Sequence, residues 1–404
     1  MDITHVWENL AKQTNRKIIY LILDGLGGLP NPNYGGTELQ VAKTPNLDKI
    51  AQQSSCGLLE LVGAGITPGS GPGHLSLFGY HPINNLVGRG ILAALGIDFE
   101  LQENDIAARV NFATINEEGK VTDRRAGRIE TELNQKLCSK IRDKVKLDFE
   151  GEYFLETVSE HRAVLILRGK GLGGNLEDTD PQSTGVKPRP PKATAEDSQK
   201  TAEIVSSFVQ QVKEVIADED PANMVLLRGF DAYSPYPSLK ERFKLRGLCI
   251  ADYPMYRGVS HLLGLNVLPK PGGMKQRFYA LKENYNDDSD FYFLHIKKSD
   301  STGEDGNFEG KVKVLEAVDE LLPMITNLNP DVLVVAADHS TPATMARHSW
   351  HPIPVMIQSE FARVDAVDRF DEYSCLQGSL GLRPGIELIG LALANAGKLR
   401  KFGA

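Results

Sequence analysis

Three short apolar runs, each followed closely by an acidic residue, set the pattern of this chain. Residues 18–23 (IIYLIL) run unbroken into Asp24-Gly25. Residues 291–296 (FYFLHI) lead into KKSDSTGEDG, and residues 331–337 (DVLVVAA) lead into Asp338-His339. Runs of this kind suit strands buried on both faces, as in a parallel sheet. Between them lie segments with helical signals. In TPNLDKIAQQSSCG, Thr44 suits an N-cap, Pro45 the first helical position and Gly57 the stop. Residues 308–326 carry Val312, Leu315, Val318, Leu322 and Ile325 at helical spacing. Strand, loop and helix in that order open an α/β unit.

The middle of the chain has a different pattern. VNFATINEEGKVTDRR and EYFLETVSEHRAVLILRG alternate like half-exposed strands with turns between them. A helix is expected over about 194–217, with Val205, Phe208, Val209, Val212 and Ile216 on one face. Residues 178–192 (DTDPQSTGVKPRPPK) read as a long loop. The expected fold is therefore α/β, a mostly parallel sheet flanked by helices, interrupted by an inserted α+β domain. The expected division places residues 1–97 and 243–404 in the first domain and 98–242 in the insertion. GKGLGG at 169–174 matches a dinucleotide-type glycine pattern, but Pro181 and the turn residues of NLEDTDPQSTG oppose the helix that such a site requires. It reads as a loop after a strand.

Bulk properties narrow the function classes. The chain has 404 residues, more than one hydrophobic core usually organises. With 45 basic and 53 acidic residues the net charge is −8, which argues against nucleic acid or an anionic membrane as partner. Cys56, Cys138, Cys249 and Cys375 are too far apart in sequence for a zinc knuckle or a CxxC redox pair, and reduced thiols are expected. The N-terminal segment MDITHVWENLAKQTNRK has no apolar signal core, and no stretch approaches about 20 apolar residues. A soluble, cytoplasmic protein is expected.

The chemistry lies at the ends of the apolar runs. In an open parallel sheet the carboxyl ends of the strands gather at one crevice. Asp24, Asp300 and Asp338 would converge there and repel one another unless divalent cations hold them. His339 follows Asp338 directly, His348 follows after a short loop, and Glu304 lies four residues past Asp300. Mixed imidazole and carboxylate ligation suits Mn²⁺ or Zn²⁺ better than Ca²⁺. Ser70 stands in ITPGSGPGHLSLFGY, where glycines let backbone N–H groups approach an anion and a helix can begin. Metal coordination can turn such a hydroxyl into a nucleophile. The reading is phosphoryl transfer through Ser70 at a two-metal site.

LILDGLGG, TPNLDKIA, TPGSGPGHLSLFGY, DRRAGR, YPMYRG, HIKKSDSTGEDG and ADHSTPATMARHSW together resemble the cofactor-independent phosphoglycerate mutases of the archaeal type, in the alkaline phosphatase superfamily. The resemblance runs from about residue 17 to 395. It implies interconversion of 3-phosphoglycerate and 2-phosphoglycerate through a phosphoserine at Ser70. It implies that Asp24, Asp338 and His339 hold one ion with Ser70, and that Asp300, Glu304 and His348 hold the other. Mn²⁺ is the expected ion, with Zn²⁺, Co²⁺ or Mg²⁺ as alternatives. Lys297 or Lys298 would neutralise the moving phosphoryl group. Glycerate binding would fall to Arg124, Arg125, Arg128, His161, Arg162 and Arg257, because guanidinium forks grip carboxylates. The inserted domain would then serve as a substrate-binding lid, with phosphoglycerate as the small-molecule partner and oligomeric state left open. Three positions depart from the usual family pattern: Glu304 replaces a histidine, Gly71 replaces an aspartate after the serine, and His351 replaces an aspartate. A phosphohydrolase, a small-metabolite kinase and a metal-binding module without catalysis are the competing readings.

Overall fold

The computed structural model describes residues 3–403, and among them thirteen strands form two separate sheets. In chain order they are β1 (Ile18–Leu23), β2 (Ser54–Glu60), β3 (Ile106–Ile115), β4 (Val121–Asp123), β5 (Gly151–Ser159), β6 (Arg162–Gly169), β7 (Met224–Ala232), β8 (Gly247–Ile250), β9 (Asn266–Val267), β10 (Phe291–Ile296), β11 (Val332–Ala336), β12 (Ile353–Ser359) and β13 (Gly381–Pro384).

The chain divides into two compact units. The first comprises 1–86, 237–256 and 263–404, and the second comprises 87–236 and 257–262. The second unit thus takes in residues 87–97 at its start and the short segment 257–262 farther along the chain. The physical reason at the first junction is the helix Arg89–Leu95, which packs on β3 and β7. A Cβ at Gly90 would come within 2.2 Å of the Ala107 carbonyl oxygen, so the glycine permits that approach.

The first unit holds an eight-stranded sheet in the order β13-β2-β12-β11-β1-β10-β8-β9. β1 pairs in parallel with β10 on one side and β11 on the other, and β10 is parallel to β8. β12 runs antiparallel to both β11 and β2. The sheet is therefore mixed but mostly parallel, with helices flanking it, as the apolar runs predict. All six residues of β1, all six of β10 and all five of β11 are buried, which accounts for their lack of polar alternation. Register places Leu23 opposite Ile296 and Ile22 opposite Ala336. The three carboxyl ends thus finish side by side at the point where strand order reverses.

Two helix expectations need correction. The helix after Thr44 ends at Ala51, and Gly57 lies in β2 instead of stopping a helix. A Cβ at Gly57 would meet the Gly381 carbonyl oxygen of β13 at 2.5 Å, so strand packing is what requires that glycine. The helix beginning at Phe308 ends at Leu321, and a separate short helix, Pro323–Thr326, follows. Pro323 has no N–H to continue the ladder.

The second unit is a five-stranded antiparallel sheet, β4-β3-β6-β5, with β7 also paired to β3. Helices Thr131–Lys144 and Gln199–Val215 bury Leu137, Ile141, Val205, Phe208 and Val212 against Val110, Phe112, Leu165 and Leu227. GKGLGG follows β6 as a loop, and no helix opens from it. All four cysteines are free thiols and buried. Among the described residues no helix is long and apolar enough to cross a membrane.

Candidate metal and phosphoryl-transfer site

Asp24 leaves β1 and donates its N–H to Ile296 at the end of β10. Lys297 and Asp300 then open the helix Lys298–Glu304, and Asp338 and His339 stand just past β11. Asp24, Asp300, Asp338 and His339 are all fully buried. Two groups of donor atoms result: Asp24, Asp338 and His339 form one, and Asp300, His339 and His348 form the other. His339 Nε2 lies 3.2 Å from Asp24 Oδ1 and 3.2 Å from Asp338 Oδ2. His348 Nε2 lies 3.4 Å from Asp300 Oδ1 and 3.6 Å from Glu304 Oε1. The His339 and His348 rings stack with centroids 3.6 Å apart.

Ser70 is the first residue of the helix Ser70–Leu77, with Gly69 at the N-cap. Its Oγ lies 3.3 Å from His339 Nε2, so the expected nucleophile stands at the edge of the first donor group. Lys297 reaches Asp24 Oδ2 at 3.2 Å and makes a close hydrogen-bonded ion pair with Asp300, whereas Lys298 is exposed to solvent. Of the two expected lysines, Lys297 is therefore the one that meets the carboxylates. His351 is held by the Ser349 hydroxyl, 3.0 Å from its Nδ1, and belongs to neither donor group.

The electrostatics are those of an anion-rich crevice. Burial opposes charge on Lys297, but Asp24 and Asp300 outweigh it and hold its pKa high. Burial would raise the Asp300 pKa, yet hydrogen bonding to His348 and the Lys297 charge bring it down. His348 is raised to about 10 because Asp300 and Glu304 overcome its desolvation. Asp24 Oδ1 and Asp338 Oδ2 are buried acceptors with no hydrogen-bond donor. An uncompensated buried carboxylate oxygen is costly. Divalent cations satisfy such atoms directly, and a donor set of carboxylate oxygens, imidazole nitrogens and a serine hydroxyl suits them. The residues present fit a two-ion site.

Four buried residues around these groups do not stand among the expected site residues, although each sits inside a quoted motif. Tyr256 of YPMYRG donates its hydroxyl to Asp24 Oδ2 in a short hydrogen bond. His295 stacks on Tyr256 with centroids 3.6 Å apart and places Nε2 3.4 Å from Asp24 Oδ2. Burial lowers the His295 pKa to about 4, so its ring is neutral. His74 donates from Nδ1 to the Ser70 carbonyl at 2.8 Å and lies 3.4 Å from Asp338 Oδ2. Thr341 touches both Asp300 and His339. Histidines and threonines next to a motif's acidic residues are a usable signal, since ligands need partners that orient them.

The expected substrate residues, described within the second unit, fall into two classes. Arg124 forks onto the buried Asp180 at 2.8 and 2.7 Å. Arg257 forks onto Asp98 at 2.9 Å from both oxygens, and His261 also meets Asp98. Those two guanidinium groups are engaged within the unit. The others cluster electrostatically: burial first, and then the charges of Arg162, Arg125 and Arg128 together with the further arginine Arg109, hold the His161 pKa down to about 3. Arg162 pairs with Glu160 at 2.7 Å, while Arg125 and Arg128 are exposed.

Comparison with known proteins gives a consistent result. The family model described as "2,3-bisphosphoglycerate-independent phosphoglycerate mutase" matches residues 51–223. A "Probable 2,3-bisphosphoglycerate-independent phosphoglycerate mutase" from Thermus thermophilus is 48% identical over 407 residues, covering 100% of both chains. A protein of the same description from Deinococcus radiodurans is 47% identical over 410 residues, again covering 100% of both. Among solved structures, the PH0037 protein from Pyrococcus horikoshii aligns with TM-score 0.82 at 28% identity, covering 96% of this chain and 99% of that one. The "Cofactor-Independent Phosphoglycerate Mutase" from Thermoplasma acidophilum aligns with TM-score 0.67 at 27% identity, covering 94% and 100%.

Proposed function

This chain belongs to the 2,3-bisphosphoglycerate-independent phosphoglycerate mutases, and from that membership we propose how its own residues interconvert 3-phosphoglycerate and 2-phosphoglycerate. Ser70 is the transient phosphate carrier. The observation that carries this reading is its placement: a hydroxyl at the first turn of a helix, 3.3 Å from His339 Nε2, beside two groups of buried carboxylate and imidazole donors.

The phosphorus–oxygen bond to the donor position of glycerate breaks as a bond to Ser70 Oγ forms. The serine loses its proton and the departing glycerate oxygen gains one. After glycerate reorients, the reverse exchange delivers the phosphoryl group to the other hydroxyl, so no proton is consumed overall. Asp24, Asp338, His339 and Ser70 would hold one divalent ion and Asp300, Glu304 and His348 the other; the ions would acidify the serine hydroxyl and offset phosphoryl charge. Mn²⁺ is the proposed ion. Lys297 supplies a fixed positive charge to the phosphoryl oxygens. Helix N–H groups following Ser70 add donors for the same anion. His295 and Tyr256 hold Asp24 in place, and their apolar faces exclude water from its back side.

Glycerate must stay bound while the phosphoserine survives, or hydrolysis replaces isomerisation. Arg125, Arg128 and Arg162 are the proposed carboxylate-binding residues, because their charges already converge on His161. Arg124 and Arg257 are proposed to act with them, each oriented by its aspartate. The test is a coupled mutase assay on the metal-stripped chain supplied with Mn²⁺, Zn²⁺, Co²⁺ or Mg²⁺, without added bisphosphoglycerate. Isomerisation that requires a divalent ion and vanishes in Ser70→Ala supports the reading. Retained turnover in that variant refutes the serine carrier, and phosphate release faster than isomerisation would mark a hydrolase.

A further inference from the structure

One imidazole stands between the two donor groups. His339 Nε2 faces Ser70, Asp24 and Asp338, whereas its Nδ1 lies 3.9 Å from Asp300 Oδ1. A neutral imidazole offers a lone pair at one nitrogen and a proton at the other. Which group receives the lone pair is decided by whatever contacts Nδ1.

That contact is the hydroxyl of Thr341. Its Oγ1 donates to Asp300 Oδ1 at 2.6 Å and lies 3.0 Å from His339 Nδ1. Having given its one proton to the carboxylate, the hydroxyl can only accept from the imidazole. His339 then carries its proton on Nδ1 and presents the Nε2 lone pair to Ser70, Asp24 and Asp338. The same hydroxyl ties Asp300, of the other donor group, to that arrangement.

The surroundings hold Thr341 in place. Its carbonyl oxygen accepts from the Lys311 ammonium at 2.9 Å, and that ammonium also donates to Gly27 at 3.1 Å. Lys311 is fully buried, 3.8 Å from the buried Glu38. Gly303 sits against Thr341 so closely that a Cβ would lie 2.3 Å from the Thr341 carbonyl oxygen and 2.9 Å from its Cγ2. The missing side chain lets the helix bearing Asp300 come within hydrogen-bond reach of the threonine. A buried lysine and a glycine thus hold Thr341 from its carbonyl and methyl sides, leaving its hydroxyl aimed at Asp300 and His339.

We propose that Thr341 is a positioning residue that fixes the His339 tautomer, assigns its Nε2 to the Asp24–Asp338 group and couples the two donor groups through Asp300. The inference rests on the two-ion reading above. Groups that fix a ligand histidine's far nitrogen change metal affinity by about 10–100-fold when removed.

The test uses the full-length, metal-stripped chain and Mn²⁺ alone, followed by titration calorimetry. Thr341→Val keeps shape and backbone bonds but removes the hydroxyl, and is expected to weaken Mn²⁺ uptake at both sites by about 10–100-fold. Thr341→Ser keeps the hydroxyl and is expected to bind as the native chain does. Long-range proton–nitrogen correlation spectra of the Zn²⁺-loaded native chain are expected to show His339 with Nε2 on the ion and a proton on Nδ1. Equal Mn²⁺ affinity in native and T341V chains overturns the proposal, as does a T341S chain as weak as T341V. Should T341V not fold, the native spectrum decides: His339 bound through Nδ1 overturns the proposal. A native chain that takes up no Mn²⁺ refutes the two-ion reading itself, a result distinct from the others.

Discussion

Gly73 touches Asp338: a Cβ built on the glycine would lie 2.0 Å from the aspartate's carbonyl oxygen. The helix that begins at Ser70 therefore presses directly on the loop that follows β11, and the nucleophile's distance to its ligands depends on a missing side chain. Gly73→Ala must push that helix away. A shift of about 1 Å at a reacting group can cost about 100-fold in rate. The mutase assay should show a loss of at least that order, with KM for phosphoglycerate much less affected. Native-like turnover in Gly73→Ala would show that the contact does not position Ser70.

Glu304 lies 3.6 Å from His348 Nε2 and is half exposed. Replacing a carboxylate by an imidazole softens the donor set. Glu304→His is expected to shift the activation profile toward Zn²⁺ and Co²⁺ relative to Mn²⁺ and Mg²⁺. Activity measured across the four ions, each at saturation, checks this; an unchanged order would remove Glu304 from the ligand set.

His161 carries the pH dependence that can be worked out. Burial and the neighbouring guanidinium groups of Arg162, Arg109, Arg125 and Arg128 lower its pKa to about 3, against about 6.5 in an unfolded chain. The unfolded chain therefore binds the extra proton first as pH falls. The stabilising contribution is complete above about 6.5 and is lost progressively down to about 3. Urea midpoints measured from pH 7 to pH 4 should fall, and fall less steeply in His161→Gln. Equal slopes would mean that His161 does not titrate with folding.

Arg124 and Arg125 are neighbours in sequence with different expected consequences. Arg124 satisfies Asp180, whose side chain is fully buried, while Arg228 stands 3.6 Å away as a second cation. Arg124→Ala leaves the carboxylate underpaired and should cost about 1–3 kcal/mol of stability. Arg125→Ala removes an exposed charge and should leave the melting temperature nearly unchanged while raising KM for phosphoglycerate. Thermal melts and steady-state kinetics on the pair separate the stability that Arg124 supplies through Asp180, beside its proposed substrate role, from the substrate role alone at Arg125; an Arg125→Ala chain with unchanged KM would remove Arg125 from the substrate site.

Much of the architecture can be read from pattern. A strand buried on both faces has no polar alternation, so IIYLIL, FYFLHI and DVLVVAA stand out, and so do the carboxylates that follow them. The helix carrying Phe208 is legible because five apolar residues recur at helical spacing. Gly57 is mistaken for a helix stop because a glycine required by a neighbouring strand looks, in one dimension, like a glycine required by a turn. Arg124 and Arg125 look alike in sequence, since they differ only in what the fold brings opposite each.

Residue order alone supports the expectation that Asp24, Asp300 and Asp338 gather at one edge, because parallel strands must finish on one edge. It cannot say which nitrogen of His339 faces which carboxylate, or that Thr341 stands between His339 and Asp300, 41 positions away in the chain. Those relationships depend on strand register and on close approaches at Gly73 and Gly303. Hydrogen bonds act over about 3 Å, and only the packed chain brings distant residues within that range.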